Sequence, residues 1–135
     1  MEIIGGGRVG TAIKLAAESA GVPVKLYSRE GSWVSLTLKT GPILVAVRND
    51  DLASVLARVP SHRHRDLVFI QNGMYRNWLV ENNLSYTTRG LLFLAVSSRG
   101  EMAIPGGVSP FIGCHAETIC ETFNVMGLPA GVVTN

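Results

Sequence analysis

Six residues near the start of the chain constrain its fold more than any others. Gly5-Gly6-Gly7-Arg8-Val9-Gly10 follows the apolar pair Ile3-Ile4 and opens a stretch whose apolar residues recur at helical spacing. Glycine at the first, third and sixth places of such a turn serves three ends. Gly5 allows the tight strand-to-helix reversal, Gly7 lets an anionic group approach the backbone, and Gly10 lets helix and strand pack closely. Free N–H groups and the helix dipole then favour a phosphate at the turn. The pattern alone is common, and its context gives it meaning. Residues 2–5 read as a strand. Val9, Ala12, Ile13, Ala16 and Ala20 place a helix over residues 8–20. Gly21 and Pro23 stop it, and residues 24–27 read as a second strand. This is the first βαβ unit of a dinucleotide fold.

The chain has 135 residues, 47% apolar and 16% charged, enough for one domain with one substantial core. The segment between Ser28 and Gly41 is too short for a full helix and a full strand, so an abbreviated crossover is expected, with Val34–Leu38 as a short strand. Residues 43–47 form an all-apolar strand suited to a sheet covered on both faces. Asn49, Asp50 or Asp51 caps a helix carrying Leu52, Val55, Leu56 and Val59, which Pro60 ends. A buried strand over residues 67–70 leads to Gln71-Asn72-Gly73 and a short helix over 74–80. Residues 91–96, entered through Gly90, read as a strand that pairs with 101–104 as an antiparallel edge hairpin across Ser97-Ser98-Arg99-Gly100. Ala116, Ile119, Cys120 and Phe123 mark a last helix, ended by Gly127 and Pro129, and residues 132–134 a last strand. The expectation is a single α/β domain over residues 1–135, Rossmann-type and doubly wound, with a mostly parallel sheet.

A net charge of +2 gives no reason to expect nucleic acid or a membrane as partner. No apolar run is long enough to span a bilayer, and no signal sequence precedes the first strand. Arg58, His62, Arg63, His64 and Arg65 read as a solvated basic loop. The two cysteines form no disulfide framework, which points to a reducing, cytoplasmic setting, or an organelle stroma if a transit peptide has been removed. His62-x-His64 and Cys114-His115 lack four-ligand spacing, so no metal is expected. Cys114 reads as a small buried hydrophobe, and Trp33, Tyr75 and Trp78 as core or edge packing.

The end of the second strand bears on which dinucleotide is held. An NAD site places a carboxylate there for the ribose hydroxyls. Here the residues are Ser28-Arg29, a hydroxyl and a guanidinium able to grip a 2′-phosphate, which favours NADP(H). Were the strand to end later, Glu30 would hold a ribose and reverse that choice.

Several segments together resemble the N-terminal domain of ketopantoate reductase and its relatives, within the 6-phosphogluconate and 3-hydroxyacid dehydrogenase superfamily. They are Ile3-Ile4-Gly5-Gly6-Gly7-Arg8-Val9-Gly10-Thr11-Ala12, Ser28-Arg29, Leu44-Val45-Ala46-Val47-Arg48, Val68-Phe69-Ile70-Gln71-Asn72-Gly73-Met74 and Ser109-Pro110-Phe111-Ile112-Gly113. The resemblance implies that Ala46, Val47 and Arg48 lie along the cofactor's ribose and phosphates, with arginine where the family usually has lysine. It implies that Gln71, Asn72 and Gly73 also border the cofactor. Asn72 is then the candidate active-site residue, beside the nicotinamide and donating to a carbonyl oxygen that becomes negative during hydride transfer.

One departure matters. The family carries its proton-donating lysine and a substrate-binding glutamate on a helical C-terminal domain, and this sequence ends at Asn135, near where that domain would begin. Lys14, Lys25 and Lys39 do not match the catalytic position. The expected function is therefore an NADP(H)-binding domain, with hydride transfer to a small carbonyl substrate only if a partner domain completes the site. Association as a homo-dimer or with such a domain would cover the exposed apolar surface. The alternatives are a stand-alone dinucleotide-binding or redox-sensing module, and a degenerate scaffold.

Overall fold

The computed structural model describes residues 1–71 and 75–134. Its main sheet has seven strands: β1 (Glu2–Ile4), β2 (Lys25–Tyr27), β3 (Ile43–Val45), β4 (Leu67–Phe69), β5 (Thr88–Gly90), β8 (Ser109–Ile112) and β9 (Ala130–Val132). Their order is β2-β1-β3-β4-β5-β8-β9. The first five run parallel, β8 is antiparallel to β5, and β9 is parallel to β8. A separate two-stranded hairpin joins β6 (Leu94–Ala95) to β7 (Ile104–Pro105). The helices are α1 (Arg8–Ser19), α2 (Leu52–Arg58), α3 (Arg76–Glu81) and α4 (Ala116–Val125).

Strand alternation divides the core into two layers. Ile3, Leu44 and Val68 face Ile13, Ala16 and Ala17 of α1 and Ile119 and Phe123 of α4. Ile4, Ile43, Val45, Leu67 and Phe69 face Leu52 and Val55 of α2 and Leu79 of α3. Helices thus cover both faces of a largely parallel sheet, the doubly wound arrangement expected.

Several local expectations are corrected. Val34–Leu38 is a 3₁₀ helix, not a strand. A strand would put Val34, Leu36 and Leu38 on one face; instead Leu36 is fully buried while Val34 and Leu38 are 75% and 88% exposed. Among the described residues no strand lies outside β2, which becomes the sheet edge. The strand expected at 91–96 lies earlier, at β5, because Thr87 and Thr88 bury their hydroxyls in hydrogen bonds to the Leu84 carbonyl and from the His115 N–H. Gly90 has no Cβ where the Phe111 ring crosses it. The 91–96 run supplies only β6, whose hairpin forms its own small sheet. β8 went unpredicted, and the last strand falls two residues earlier than expected. Asp51, at the start of α2, makes no side-chain cap. Cys114 is exposed, and Cys120 is the buried thiol, pushed up in pKa by burial.

The largest correction concerns the basic loop. Residues Ser61–Asp66 form a 3₁₀ segment, and Arg63 within it is only 2% exposed. Its guanidinium donates to Asp66 Oδ2 at 2.7 Å, Glu2 Oε1 at 3.2 Å, and the carbonyls of Leu36 at 2.6 Å and Gly41 at 2.8 Å. Tyr27 Oη donates to Glu2 Oε2 at 2.8 Å, and His115 Nε2 lies 2.9 Å from Asp66 Oδ1. This network closes the amino ends of the strands. Burial alone would raise the Asp66 pKa, but hydrogen bonds from Arg63 and His115 outweigh it and hold the carboxyl below its usual value. His62 and His64 place ring nitrogens on the Thr37 and Val59 carbonyls.

Candidate functional site

β1 leads through α1 to β2 on one side of it, and the chain then crosses back to β3 on the other. That reversal makes a crevice outside the carboxyl ends of β1 and β3, the place where open α/β sheets bind ligands. A cavity of about 330 Å³ opens there. Its walls are the Gly5-Gly6-Gly7 turn, the residues after β2 (Ser28, Arg29, Glu30) and the exit of β3 (Ala46, Val47, Arg48).

The glycines differ in what surrounds them. Gly5 has φ +119°, and a Cβ there would strike the Ala46 carbonyl. A Cβ on Gly10 would overlap the Gly5 carbonyl oxygen, so this position joins helix to strand by backbone contact alone. A Cβ on Gly7, by contrast, would meet nothing within 4 Å. Space over the backbone is therefore left open at the N-cap of α1, whose first-turn N–H groups have no acceptor within the helix. Neither Arg8 nor Val9 lines the cavity, and Val9 packs against the core; from this turn they offer backbone rather than side chain.

Beyond the turn, β2 ends at Tyr27, so Ser28 and Arg29 leave its carboxyl end directly. Arg29 is 79% exposed, with its guanidinium 3.6 Å from Asp51. Arg58, at the end of α2, donates to the carbonyls of Arg29 and Gly31 at 2.8 and 2.7 Å and lies over the Trp33 ring at 3.8 Å. Trp33 in turn donates its indole N–H to the Ser28 carbonyl at 2.8 Å. These two residues hold the Ser28–Gly31 turn in shape. From the far side, Arg99 in the hairpin turn comes within 3.8 Å of where a Cβ on Gly6 would sit. The lining therefore carries four arginines (29, 48, 58 and 99) against two carboxylates, Glu30 and Asp51, an excess that suits a polyanion.

Gln71 is 5% exposed. Its amide donates to the Val45 and Val47 carbonyls at 2.8 and 3.0 Å and accepts from the Ile70 N–H at 3.1 Å. It pins the end of β4 to the exit of β3 and so shapes the Ala46–Val47 wall. Asn72 and Gly73 lie outside the described residues. Sequence reasoning missed Arg58, Arg99 and the bracing role of Trp33. Arg58 had been assigned to the basic loop and Trp33 to core packing. For Arg99 no local signal exists, since its approach to the glycine turn spans more than ninety residues of chain.

No protein-family model and no curated relative matches the sequence. Solved structures match its fold. D-mandelate dehydrogenase in complex with NADH superposes with a TM-score of 0.65 at 14% identity, over 100% of this chain and 56% of that one. The 2-dehydropantoate 2-reductase from Methylococcus capsulatus gives 0.65 at 15% identity, over 99% and 56%. A reductive aminase from Aspergillus terreus in complex with NADPH and ethyl levulinate gives 0.68 at 14%, over 98% and 53%. The chain thus shares a Rossmann-type α/β fold with these dehydrogenases and reductases, and spans a little over half the length of each.

Proposed function

We infer that this domain binds a nicotinamide dinucleotide, NADP(H) in preference to NAD(H), as the cofactor half of an oxidoreductase resembling ketopantoate reductase. The observation that carries this reading is the arginine-rich crevice at the sheet's reversal point, built over a glycine turn that is open only at Gly7. The pyrophosphate would lie on Gly5, Gly6, Gly7 and the backbone of Arg8, Val9 and Gly10. Ser28 and Arg29, with Arg29 exposed, would take the 2′-phosphate. Ala46, Val47 and Arg48 would run along the ribose and phosphates, and Asn72 would stand at the reacting carbonyl.

Among the described residues, neither lysine nor histidine lines the crevice. A proton-donating lysine for a small carbonyl substrate would therefore come from outside this wall, from a helical partner domain or a second copy of the chain. Exposed Phe93, Met102, Ile104 and Val108 on and beside the hairpin, with Val132 on the β9 edge, favour such association. That neither lysine nor histidine lines the crevice among the described residues favours a second reading, a dinucleotide-binding or redox-sensing module without chemistry of its own.

Calorimetric titration with NADPH and NADH tests the main reading. NADPH binding that weakens on Arg29→Ala, with NADH binding unchanged by that substitution, supports it. Binding of neither nucleotide overturns it in favour of a scaffold.

A further inference from the structure

The β6–β7 hairpin reaches back across the sheet to the crevice. Leu94 of β6 and Ala103, just before β7, pack against the core layer that holds Ile13, Ala16 and Ala17 of α1. The hairpin is thereby seated on the α1 face of the sheet, and its turn carries Arg99 into the crevice wall. The Glu101 N–H donates to the Ser98 carbonyl at 3.1 Å and Gly100 takes φ +90°, so the chain doubles back at Arg99. The place that a Cβ on Gly6 would occupy is bordered by Ser28 Cβ at 3.7 Å and by Arg99 Nη2 at 3.8 Å. One guanidinium from a distant stretch of chain therefore stands beside both the glycine turn and Ser28.

This guanidinium is not already engaged. Among the described residues Arg99 has no hydrogen-bond or ion-pair partner, and neither does the Ser28 hydroxyl. Arg58, by contrast, is spent on two carbonyls and the Trp33 ring, and Arg29 leans to within 3.6 Å of Asp51. A free cation beside a free hydroxyl and the open N–H groups of a helix start lacks only its anion.

We propose that Arg99 and the Ser28 hydroxyl hold the 2′-phosphate of the dinucleotide between them, which makes the hairpin a wall of the cofactor site and a source of its selectivity. The assignment rests on the dinucleotide reading above, and it shares the phosphate between Arg29 at the end of β2 and Arg99 on the opposite side. A phosphate monoester carries about two negative charges and offers three acceptor oxygens, more than one exposed arginine satisfies. A ribose 2′-hydroxyl has no charge and gains little from a guanidinium, so Arg99 separates NADP(H) from NAD(H). A phosphate held by Arg99 also ties the hairpin turn to the turn between β1 and α1. NAD(H), lacking that phosphate, leaves the two turns unlinked.

Titration calorimetry of the chain with NADPH and NADH, on the wild type, Arg99→Ala and Arg99→Lys, tests the proposal. Arg99→Ala should weaken NADPH about tenfold and NADH less than about twofold, with Arg99→Lys in between. Arg99 lies in an exposed turn, so both variants should fold as the wild type does. In hydrogen exchange, NADPH should slow the backbone amides of residues 94–104 in the wild type, and neither NADH nor the Arg99→Ala variant should show that protection. Equal weakening of both nucleotides would put Arg99 on the shared pyrophosphate and overturn the assignment. Unchanged NADPH affinity in Arg99→Ala, or hairpin protection by NADH as strong as by NADPH, would overturn it as well while leaving the cofactor reading in place. Binding of neither nucleotide by the wild type would sink the cofactor reading itself and this assignment with it.

Discussion

Arg63 and Arg29 lie at opposite ends of one sheet and show two uses of the same side chain. At the amino ends, Arg63 is buried and saturated by two carboxylates and two carbonyls. At the carboxyl ends, Arg29 is 79% exposed and shares one distant carboxylate. The first end binds itself; the second has binding capacity to spare. In a parallel sheet the difference follows from geometry. The loops at the carboxyl ends diverge at the reversal point and leave a crevice, whereas at the amino ends Glu2, Asp66 and the Leu36 and Gly41 carbonyls converge on one guanidinium. The comparison teaches that charge in this sequence is sorted into a structural end and a ligand-ready end.

Breaking the structural end should have the largest effect. Arg63→Met leaves buried Glu2 and half-buried Asp66 without their guanidinium and should cost about 3–5 kcal/mol in denaturant unfolding. The triple replacement Glu2→Gln, Arg63→Met, Asp66→Asn should recover part of that loss; no recovery would mean that the network's shape, not its charge, is what matters. At the other end, Gly10→Ala forces a Cβ into the Gly5 carbonyl. It should cost about 1–3 kcal/mol and abolish NADPH binding. Gly7→Ala makes no such clash. Stability should fall by less than about 1 kcal/mol, so weakened NADPH binding would isolate the ligand role of the open turn.

A pH series sharpens the comparison further. Asp66 has a lowered pKa in the fold. As pH falls through the usual value of 3.8, the unfolded chain takes up this proton before the folded one does. The stabilisation is therefore complete above that value and is lost toward lower pH. Asp66→Asn should flatten the acid limb of stability, and an unchanged limb would show that other carboxylates control it. The smallest effect belongs to Arg29→Ala, which should leave stability within about 0.5 kcal/mol while weakening NADPH about tenfold or more.

Much of the fold was legible because its signals are local. The α1 helix and the strands β1 to β4 came from spacing and apolar runs, since their burial repeats along the chain. Val34–Leu38 misled because alternate apolar residues imply a strand only if a neighbouring strand accepts them. Here the Trp33 tether to Ser28 turns the segment so that Leu36 alone reaches the core. Residues 91–96 misled for a related reason. A dense apolar run signals burial, but nothing within it tells whether a sheet or a partner surface covers it, and Leu91 and Phe93 remain 42% and 47% exposed.

The glycine turn, the βαβ unit after it and the Ser28-Arg29 pair at the end of β2 were determined by the sequence alone. Each depends on residues a few positions apart, where backbone sterics and helix periodicity act directly. Only tertiary structure decided that Arg63 is interior while its neighbours in the same basic run are not. It also decided that Arg58 and Trp33 brace the crevice, and that Arg99 faces the glycine turn from a distant hairpin. An arginine's environment depends on which carbonyls and carboxylates the fold gathers around it. That gathering joins residues tens of positions apart, beyond the reach of any local pattern.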